Sequence, residues 1–591
     1  MNPPTRFRGA LLASTATALA ATLLMVSGKP TGAEEPTACK TDPGGITLSP
    51  GFCATVFADH LGHARHLAVA SNGVVYVNTW SGRYYHNDTP PPGGFLIALQ
   101  DTKGDGQADK TVRFGPTFAE GDHGGTGIAL YKGYVYAETN DRIVRYALPT
   151  NGIAPTGGPE TIVSGLPLTG DHPMHPFQVD GQGNLYIDEG SATNSCQSQN
   201  RMPNIPGNRP CTELETRGGT WLYDANKLDQ HFSPAERFVT GLRNGEGFSF
   251  DSAGRFFAIQ HGRDQLFENW PSLYTPLQGQ NEPAEELVVE RRGADFGWPE
   301  CYYDYDQKKL VLAPEYGGDG GKTVGVCAEK QEPVAAFPAH WAPNDILIYE
   351  GKQFPSAYKD GAFIAFHGSW NRAPGPQGGY NVVFQPLADG KASGPFVVFA
   401  DGFAGGDKEP GRAAHRPTGL AVGADGALYI ADDSGGRIWR VTYQGGNRAA
   451  GIASVAPAPS NQQAAASGNA LPPEGIHPNA GAAPLPIPPG ASPEQVALGD
   501  RIFHGQVDGG TCAGCHGADA KGSSVGSDLA DGHWLWGDGS LPAIVRTIDS
   551  GVPQPKDHTG AMPPKGGAQL SQADVTAVAD YVWAISHRNA H

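Results

Sequence analysis

Sulfur and charge are both scarce in this chain. Of its 591 residues only five are methionine and eight cysteine, and Asp, Glu, Lys and Arg together make up 17%. The charge that is present leans acidic, at −18, so no basic surplus exists to hold nucleic acid or an anionic membrane surface as the main partner. No glycine-rich phosphate loop follows any strand-like segment, which leaves a dinucleotide-binding fold without a foothold. The N-terminus has no adjacent arginine pair, so it lacks the mark of twin-arginine export. Glycine (82) and proline (50), by contrast, are abundant. Together with the low charge they point to a β-rich, turn-dense globule. At this length at least two domains are expected.

The most informative stretch is Thr511-Cys512-Ala513-Gly514-Cys515-His516-Gly517. Two thiols three positions apart can form thioethers to the two haem vinyls, and the next residue offers its imidazole to the iron. A zinc site needs two further ligands at matching spacing, and a thioredoxin-like pair has no need of His516. Upstream, Ser492, Pro493 and Gln495 read as the capped start of a helix carrying Val496, Gly499 and Phe503. The C-terminal stretch repeats the pattern, with Ser571 as cap and Val575, Val578, Ala579, Val582 and Ile585 as the apolar stripe. Met562, flanked by two prolines, is the only methionine after the haem signature. The region resembles a class I cytochrome c. That resemblance gives Cys512 and Cys515 as haem attachments, His516 as proximal iron ligand and Met562 as distal ligand, with His504, His533 and His558 competing for the distal place.

The other six cysteines fall as three neighbouring pairs, and the expected disulfides are Cys39–Cys53, Cys196–Cys211 and Cys301–Cys327. Such bridges belong to an oxidising compartment. Arg6 and Arg8 before the apolar run Ala10–Val26, with small residues near Ala33, read as an export signal over residues 1–33. An uncleaved membrane anchor is the competing reading, because the run approaches spanning length. Either way the body is expected outside the cytoplasm, in the periplasm.

Residues 34–443 carry a recurring phrase, a glycine turn followed by a short strand of aromatic and β-branched residues. It appears at Val74–Val77, Tyr134–Tyr136, Leu185–Ile187, Phe256–Phe257, Ala362–Ile364 and Leu428–Ile430. Six irregularly spaced strand-turn-strand units predict a mainly β protein. The expected architecture is a six-bladed β-propeller with long insertions, followed by a small all-α cytochrome c domain at 492–591. A β-sandwich is the alternative. Asp101, Asp105 and Asp109 lie along a glycine-rich turn that suits a structural calcium ion, although a solvated acidic turn fits as well. Residues 444–491 are rich in Pro and Ala and read as a semi-extended linker that keeps the haem domain near the propeller.

Six segments in order make the large domain resemble the PQQ-dependent glucose/sorbosone dehydrogenase family, and most closely its L-sorbosone dehydrogenases. They are Ala64–Val69, His172–Asp188, Gly241–Asn244, Gly293–Pro299, His367–Arg372 and Arg416–Ala421. The resemblance implies that His172 is the general base, with His175 as its local rival. It also implies that Arg243 and Asn244 face cofactor and substrate, and that Arg416 and Arg372 help bind the anionic quinone. A calcium ion would be held partly by backbone carbonyls near Gly262 and Arg263. This sequence departs from the soluble glucose enzymes at His261, at an insertion around residues 269–280 that shifts an acidic pair to Glu285 and Glu286, and at Thr418.

The expected function is therefore a periplasmic quinohaemoprotein dehydrogenase. It oxidises an aldose or a sorbosone-like aldehyde with PQQ and calcium, and passes electrons through one covalent haem c to an external cytochrome, quinone or oxidase. Two rivals remain: a calcium-dependent lactonase-type propeller and a non-catalytic propeller that docks the cytochrome. Neither rival requires bound PQQ.

Overall fold

The computed structural model of the protein describes residues 39, 42–80, 92–117, 124–372, 376–406, 408, 413–455, 485–504, 512–516, 520–522, 526–556, 562–568 and 570–588. The expected export signal, most of the linker and His558 lie outside these residues. Among the described residues no helix is long and apolar enough to cross a membrane.

Six blades form the propeller, each with four antiparallel strands; two of them gain a short fifth outer strand, Thr47–Leu48 (antiparallel) and Gln230–His231 (parallel). The first runs through Ala64–Val69, Val75–Thr79, Leu96–Gln100 and Lys110–Phe114. The other five begin at Ile128–Tyr131, Phe177–Val179, Gly245–Phe250, Pro343–Ile348 and Pro417–Val422. The outermost strand of the sixth blade comes from the other end of the domain: Phe52–Ala58 pairs antiparallel with Ile438–Tyr443. That exchange closes the ring and ties its first strand to its last, so no blade is left with an unpaired seam.

The recurring phrase marks the second strand of every blade, from Val75–Thr79 to Leu428–Asp432. These strands are buried almost throughout because each blade is sandwiched between two neighbours. This is why they read as apolar runs rather than as an alternation. The hairpin turn before each strand needs one left-handed residue. Glycine supplies it at Gly73, Gly133, Gly183, Gly254 and Gly426, and Asp360 (φ 58°) takes the place in the fifth blade.

Long insertions follow the second strands of the third and fourth blades and so share one face, and another follows the third strand of the fourth blade. One, between the second and third strands of the third blade, is stapled by Cys196–Cys211. The fourth blade carries two short helices, α1 (Leu266–Asn269) and α2 (Pro276–Asn281), and a hairpin, Cys301–Asp304 with Lys309–Leu312, stapled by Cys301–Cys327. Cys39–Cys53 pins the N-terminal segment to the closing strand. All three bridges follow the neighbour pairing. Loops of this length are stabilised by about 3 kcal/mol each when closed.

The composition placed the linker's start at 444, yet the chain remains packed on the propeller beyond that point. Val455 donates its N–H to the Val398 carbonyl (2.8 Å), and Ser49 donates its hydroxyl to the Ala453 carbonyl (2.6 Å). At the other end Leu485 already packs on the core of the haem domain.

That domain holds α3 (Pro493–Phe503), α4 (Cys512–His516), α5 (Leu541–Ser550) and α6 (Gln572–Ser586). Ser492 with Gln495, and Ser571 with Asp574, form reciprocal caps at the starts of α3 and α6. Helices α3 and α6 cross at Gly499, where any Cβ would collide with the Ala577 carbonyl. Val575, Val578, Ala579, Val582 and Ile585 are all buried in this core. Helix α5, with Pro542 in its first turn, was not foreseen from the sequence.

Candidate functional site

A cavity of about 530 Å³ opens on the insertion face of the propeller, and the haem domain forms its other wall. Cys512, Cys515, His516 and Met562 line it from one side. His172, Arg243, Asn244, His261 and Arg416 line it from the other. Two residue sets identified separately in the sequence thus face one shared space.

On the propeller side the third and fourth blades supply the centre. His172 is buried, and its Nδ1 lies 2.8 Å from the Ser191 carbonyl oxygen. Nδ1–H therefore donates there, which fixes the tautomer and leaves Nε2 with the lone pair. Burial, and then the Arg243 charge, hold its pKa well below the usual histidine value. His175, the rival, is built differently. Its Nδ1 faces Glu138 (3.2 Å), and its Nε2 faces the Pro167 carbonyl (2.9 Å) and Glu189 (3.5 Å). Burial pushes its pKa down, but the two glutamates outweigh it and raise it to about 10. His175 is thus a structural cation without a lone pair to offer.

Arg243 donates from Nη1 to the Gly262 carbonyl (2.9 Å) and from Nη2 to Asp264 (2.7 Å). Burial pushes the Asp264 carboxyl up, but Arg243 and Arg201 outweigh it and keep it ionised far below the usual range. Arg65 bonds Asp433 (2.8 Å) and Glu246 (3.2 Å). Arg416 differs from these two. Its guanidinium donates to the carbonyls of His367 (3.1 Å) and Gly368 (2.9 Å), and among the described residues it meets no carboxylate. Arg416 therefore brings to the cavity a positive charge that is not tied up in a direct carboxylate pair, although Asp433 lies close enough to feel it.

Among the described residues, three buried polar atoms on the cavity wall have no partner: Arg243 Nε, Asn244 Oδ1 and Asn371 Oδ1. Such atoms normally find one, in the protein or in a bound molecule. Arg243 Nε is a donor that a carboxylate or carbonyl oxygen of an anionic quinone fits, whereas the two amide oxygens accept and call for an N–H or O–H partner.

Other expected residues lie elsewhere. Arg372 is not on the cavity wall. It binds the Gln280 (3.0 Å) and Ala339 (2.7 Å) carbonyls and Asn281, tying its own loop to the end of α2. The Arg263 guanidinium turns away to Glu315 (2.6 Å) and Asn269 (3.1 Å). The Gly262 carbonyl already accepts Arg243, so a calcium ion there would compete with a guanidinium for the same oxygen.

The acidic turn does not fit a metal site. Asp101 accepts the N–H groups of Lys103, Gly104 and Gly106, and Asp109 accepts the N–H and hydroxyl of Thr102. Asp105 accepts Gln107 N–H. Each carboxylate is spent on shaping its own loop, and among the described residues the three do not gather round one point.

On the haem side the Cys512 and Cys515 side chains share a face of α4, one turn apart, and His516 follows. His516 Nδ1 donates to the Ser527 carbonyl (2.8 Å), which orients the ring and leaves Nε2 for an iron. Met562 is pinned by paired backbone hydrogen bonds to Val552, 2.7 and 3.0 Å long, and lines the same cavity. His504 is outside the cavity with Nδ1 on the Asp500 carbonyl (2.8 Å), and His533 sits exposed at the rim. These residues fit a covalent haem with His/Met ligation. Met562→Ala should abolish the weak red-end band of the ferric spectrum that reports a sulfur–iron bond, and should lower the haem potential. An unchanged band would hand the distal place to another group.

Residues with no forecast role complete the wall: Asp171, Arg201, Asp264 and Gln265. Asp264 lies only two residues beyond Gly262, and the fixed geometry of that loop was its one signal in the sequence.

Comparison with known proteins separates the chain at the same place. Residues 46–444 match the family model described as TrAA12-like, and residues 495–582 match the model for the cbb3-type cytochrome c oxidase subunit III. A pyrroloquinoline quinone-dependent pyranose dehydrogenase from Coprinopsis cinerea is 29% identical over 267 residues, covering 38% of this chain and 34% of that protein. A cbb3-type oxidase subunit CcoP from Rubrivivax gelatinosus is 39% identical over 94 residues, covering 16% of this chain and 27% of that one. The chain thus spans about a third or less of the curated relatives it matches. The solved PQQ domain of Coprinopsis cinerea pyranose dehydrogenase shares the fold, with a TM-score of 0.52 at 19% identity, covering 68% of this chain and 99% of that one.

Proposed function

The chain belongs to the TrAA12-like family, and from that premise we propose that it is a quinohaemoprotein dehydrogenase that oxidises an aldose or a sorbosone-like aldehyde hydrate. The observation that carries this reading is the shared cavity, with a base and cationic donors on one wall and the haem-attachment residues on the other. When bound, PQQ supplies a two-electron acceptor and haem c a one-electron iron.

The protein's own part is binding, orientation and proton handling. Arg416 and Arg243 offer positive charge and donors to an anionic ring system, and Asn244 offers its amide oxygen to an N–H or O–H group. His172, held through Nδ1 by Ser191, takes the substrate hydroxyl proton on Nε2. His261, buried beside Arg243, is pushed down to about 3 and stays neutral at working pH. Electrons then leave to an external cytochrome, quinone or oxidase. Export to the periplasm is consistent with three disulfides and a haem-attachment signature. A lactonase-type hydrolase has no use for a haem domain forming the wall of its own cavity.

The depressed pKa of His172 sets the acid limb. A base with an ordinary histidine pKa would lose kcat/KM as the pH falls through 6.5. Here the neutral form persists below that value, so kcat/KM should hold through pH 6 and fall only at more acidic pH. A limb centred at 6.5 would place the base elsewhere. The reading as a whole is tested by titrating the protein with PQQ, with and without calcium, and offering a panel of sugars and aldehydes. Tight PQQ binding and substrate-dependent haem reduction support it. Lactone hydrolysis without PQQ binding supports the hydrolase instead.

A further inference from the structure

Between the His172–Arg243 centre and the haem attachments stands a group of side chains that the proposed chemistry leaves without a task. Asp264 Oδ2 accepts Arg243 Nη2 (2.7 Å) and Arg201 Nη2 (2.9 Å) on the same oxygen. Asn371 Nδ2 fixes the other oxygen at 2.8 Å. Arg201 continues outward. Its Nε and Nη2 reach Asp171 Oδ2 (3.0 and 2.9 Å), Nη1 reaches Gln265 Oε1 (3.2 Å), and the guanidinium lies over the Trp370 ring at 6.0 Å.

Arg201, Asp171, Asp264 and Cys515 line the same cavity. Gln265 touches the haem domain on its other side, where a Cβ on Gly567, in the loop after Met562, would stand 2.9 Å from its Nε2. Arg201 and Gln265 both hold left-handed backbone, φ 61° and 62°. Non-glycine residues rarely adopt it unless the surroundings over-determine them, and such residues cluster at functional sites.

We propose that Arg201 is the positioning residue that joins the cofactor pocket to the haem: through Asp264 it is tied to Arg243, it sets the charge on the cavity wall that the haem attachments also line, and through Gln265 it seats the haem domain. This rests on the dehydrogenase reading for its purpose, but not for its test. A positive charge beside the haem disfavours the more positive ferric state and so raises the reduction potential. Removing it leaves Asp171 uncompensated, and the potential falls. Electron transfer from the pocket would then lose both driving force and a fixed bridge.

The test is a redox titration of the haem in the full chain, with haem attached and neither PQQ nor sugar present. Arg201→Gln should shift the reduction equilibrium toward ferric by about tenfold, 59 mV for a one-electron couple. Arg201→Lys, which keeps the charge, should restore most of it. Asp171→Asn should shift the potential the opposite way, a sign that general loosening of the fold would not produce, and it decides the matter alone if Arg201→Gln does not fold. An unchanged potential in Arg201→Gln, an equal fall in Arg201→Lys, or a fall in Asp171→Asn overturns the proposal. Because no sugar enters this measurement, its failure is distinct from failure of the dehydrogenase reading, which shows as a wild-type chain whose haem no sugar reduces.

Discussion

His172→Ala should slow substrate-dependent quinone reduction by a factor of ~10²–10⁴ while leaving PQQ binding and the haem spectrum intact. The size follows from the lost proton acceptor. The selectivity follows from geometry, because the His172 ring bonds only to Ser191, and Arg243, Asn244 and Arg416 keep their own partners without it. Alanine leaves space and a solvated Ser191 carbonyl, not a buried charge, so the fold should tolerate the change. Stopped-flow mixing with sugar, observed at the quinone bands, reads the effect directly. His175→Ala should behave in the opposite way. That substitution strips a buried cation from between Glu138 and Glu189 and should cost stability first. If His172→Ala retained full quinone reduction, the base would be another residue.

Truncation after Val455 should have the complementary effect. The propeller would still reduce a small artificial dye with sugar, since His172 and its neighbours all lie on the blades and their loops. Turnover with the natural acceptor should collapse. The cut belongs after Val455 rather than at the compositional boundary of 444, because cutting there would remove the bonds of Ala453 and Val455 to Ser49 and to the fifth blade. A truncated propeller that oxidises no sugar or aldehyde with any dye would remove the basis for the dehydrogenase reading.

The parts of this protein legible in its sequence are those encoded locally. Two thiols and an imidazole within five residues announce a haem wherever the chain folds. The second strand of each blade is buried on both faces and preceded by a turn that needs positive φ, so physics forces a similar phrase six times. The neighbour pairing of cysteines holds because each bridge closes a local stretch of chain, two of them blade insertions and one the N-terminal segment.

What was not legible is assembled from distant loops. Arg201 lies in the third-blade insertion, Asp264 and Gln265 in the fourth blade, and Cys515 beyond the linker, and no periodicity connects them. The acidic turn stayed open between two readings for a related reason. Asp residues in a glycine-rich loop serve calcium or serve the loop's own N–H groups, and only coordinates separate the two uses. Arg372 lay in the right motif, yet its side chain turns to three groups at the end of α2 and the strand beyond.

The central claim is that one chain carries substrate electrons from the propeller pocket to its own haem. Single-turnover mixing of the full-length, PQQ-loaded protein with an active sugar, followed at the haem bands over a range of protein concentrations, tests it most directly. Haem reduction should trail quinone reduction with a first-order rate that does not change with protein concentration, because the donor and acceptor residues face one cavity. A rate that rises in proportion to protein concentration, or a haem that stays ferric while the quinone is reduced, would contradict it.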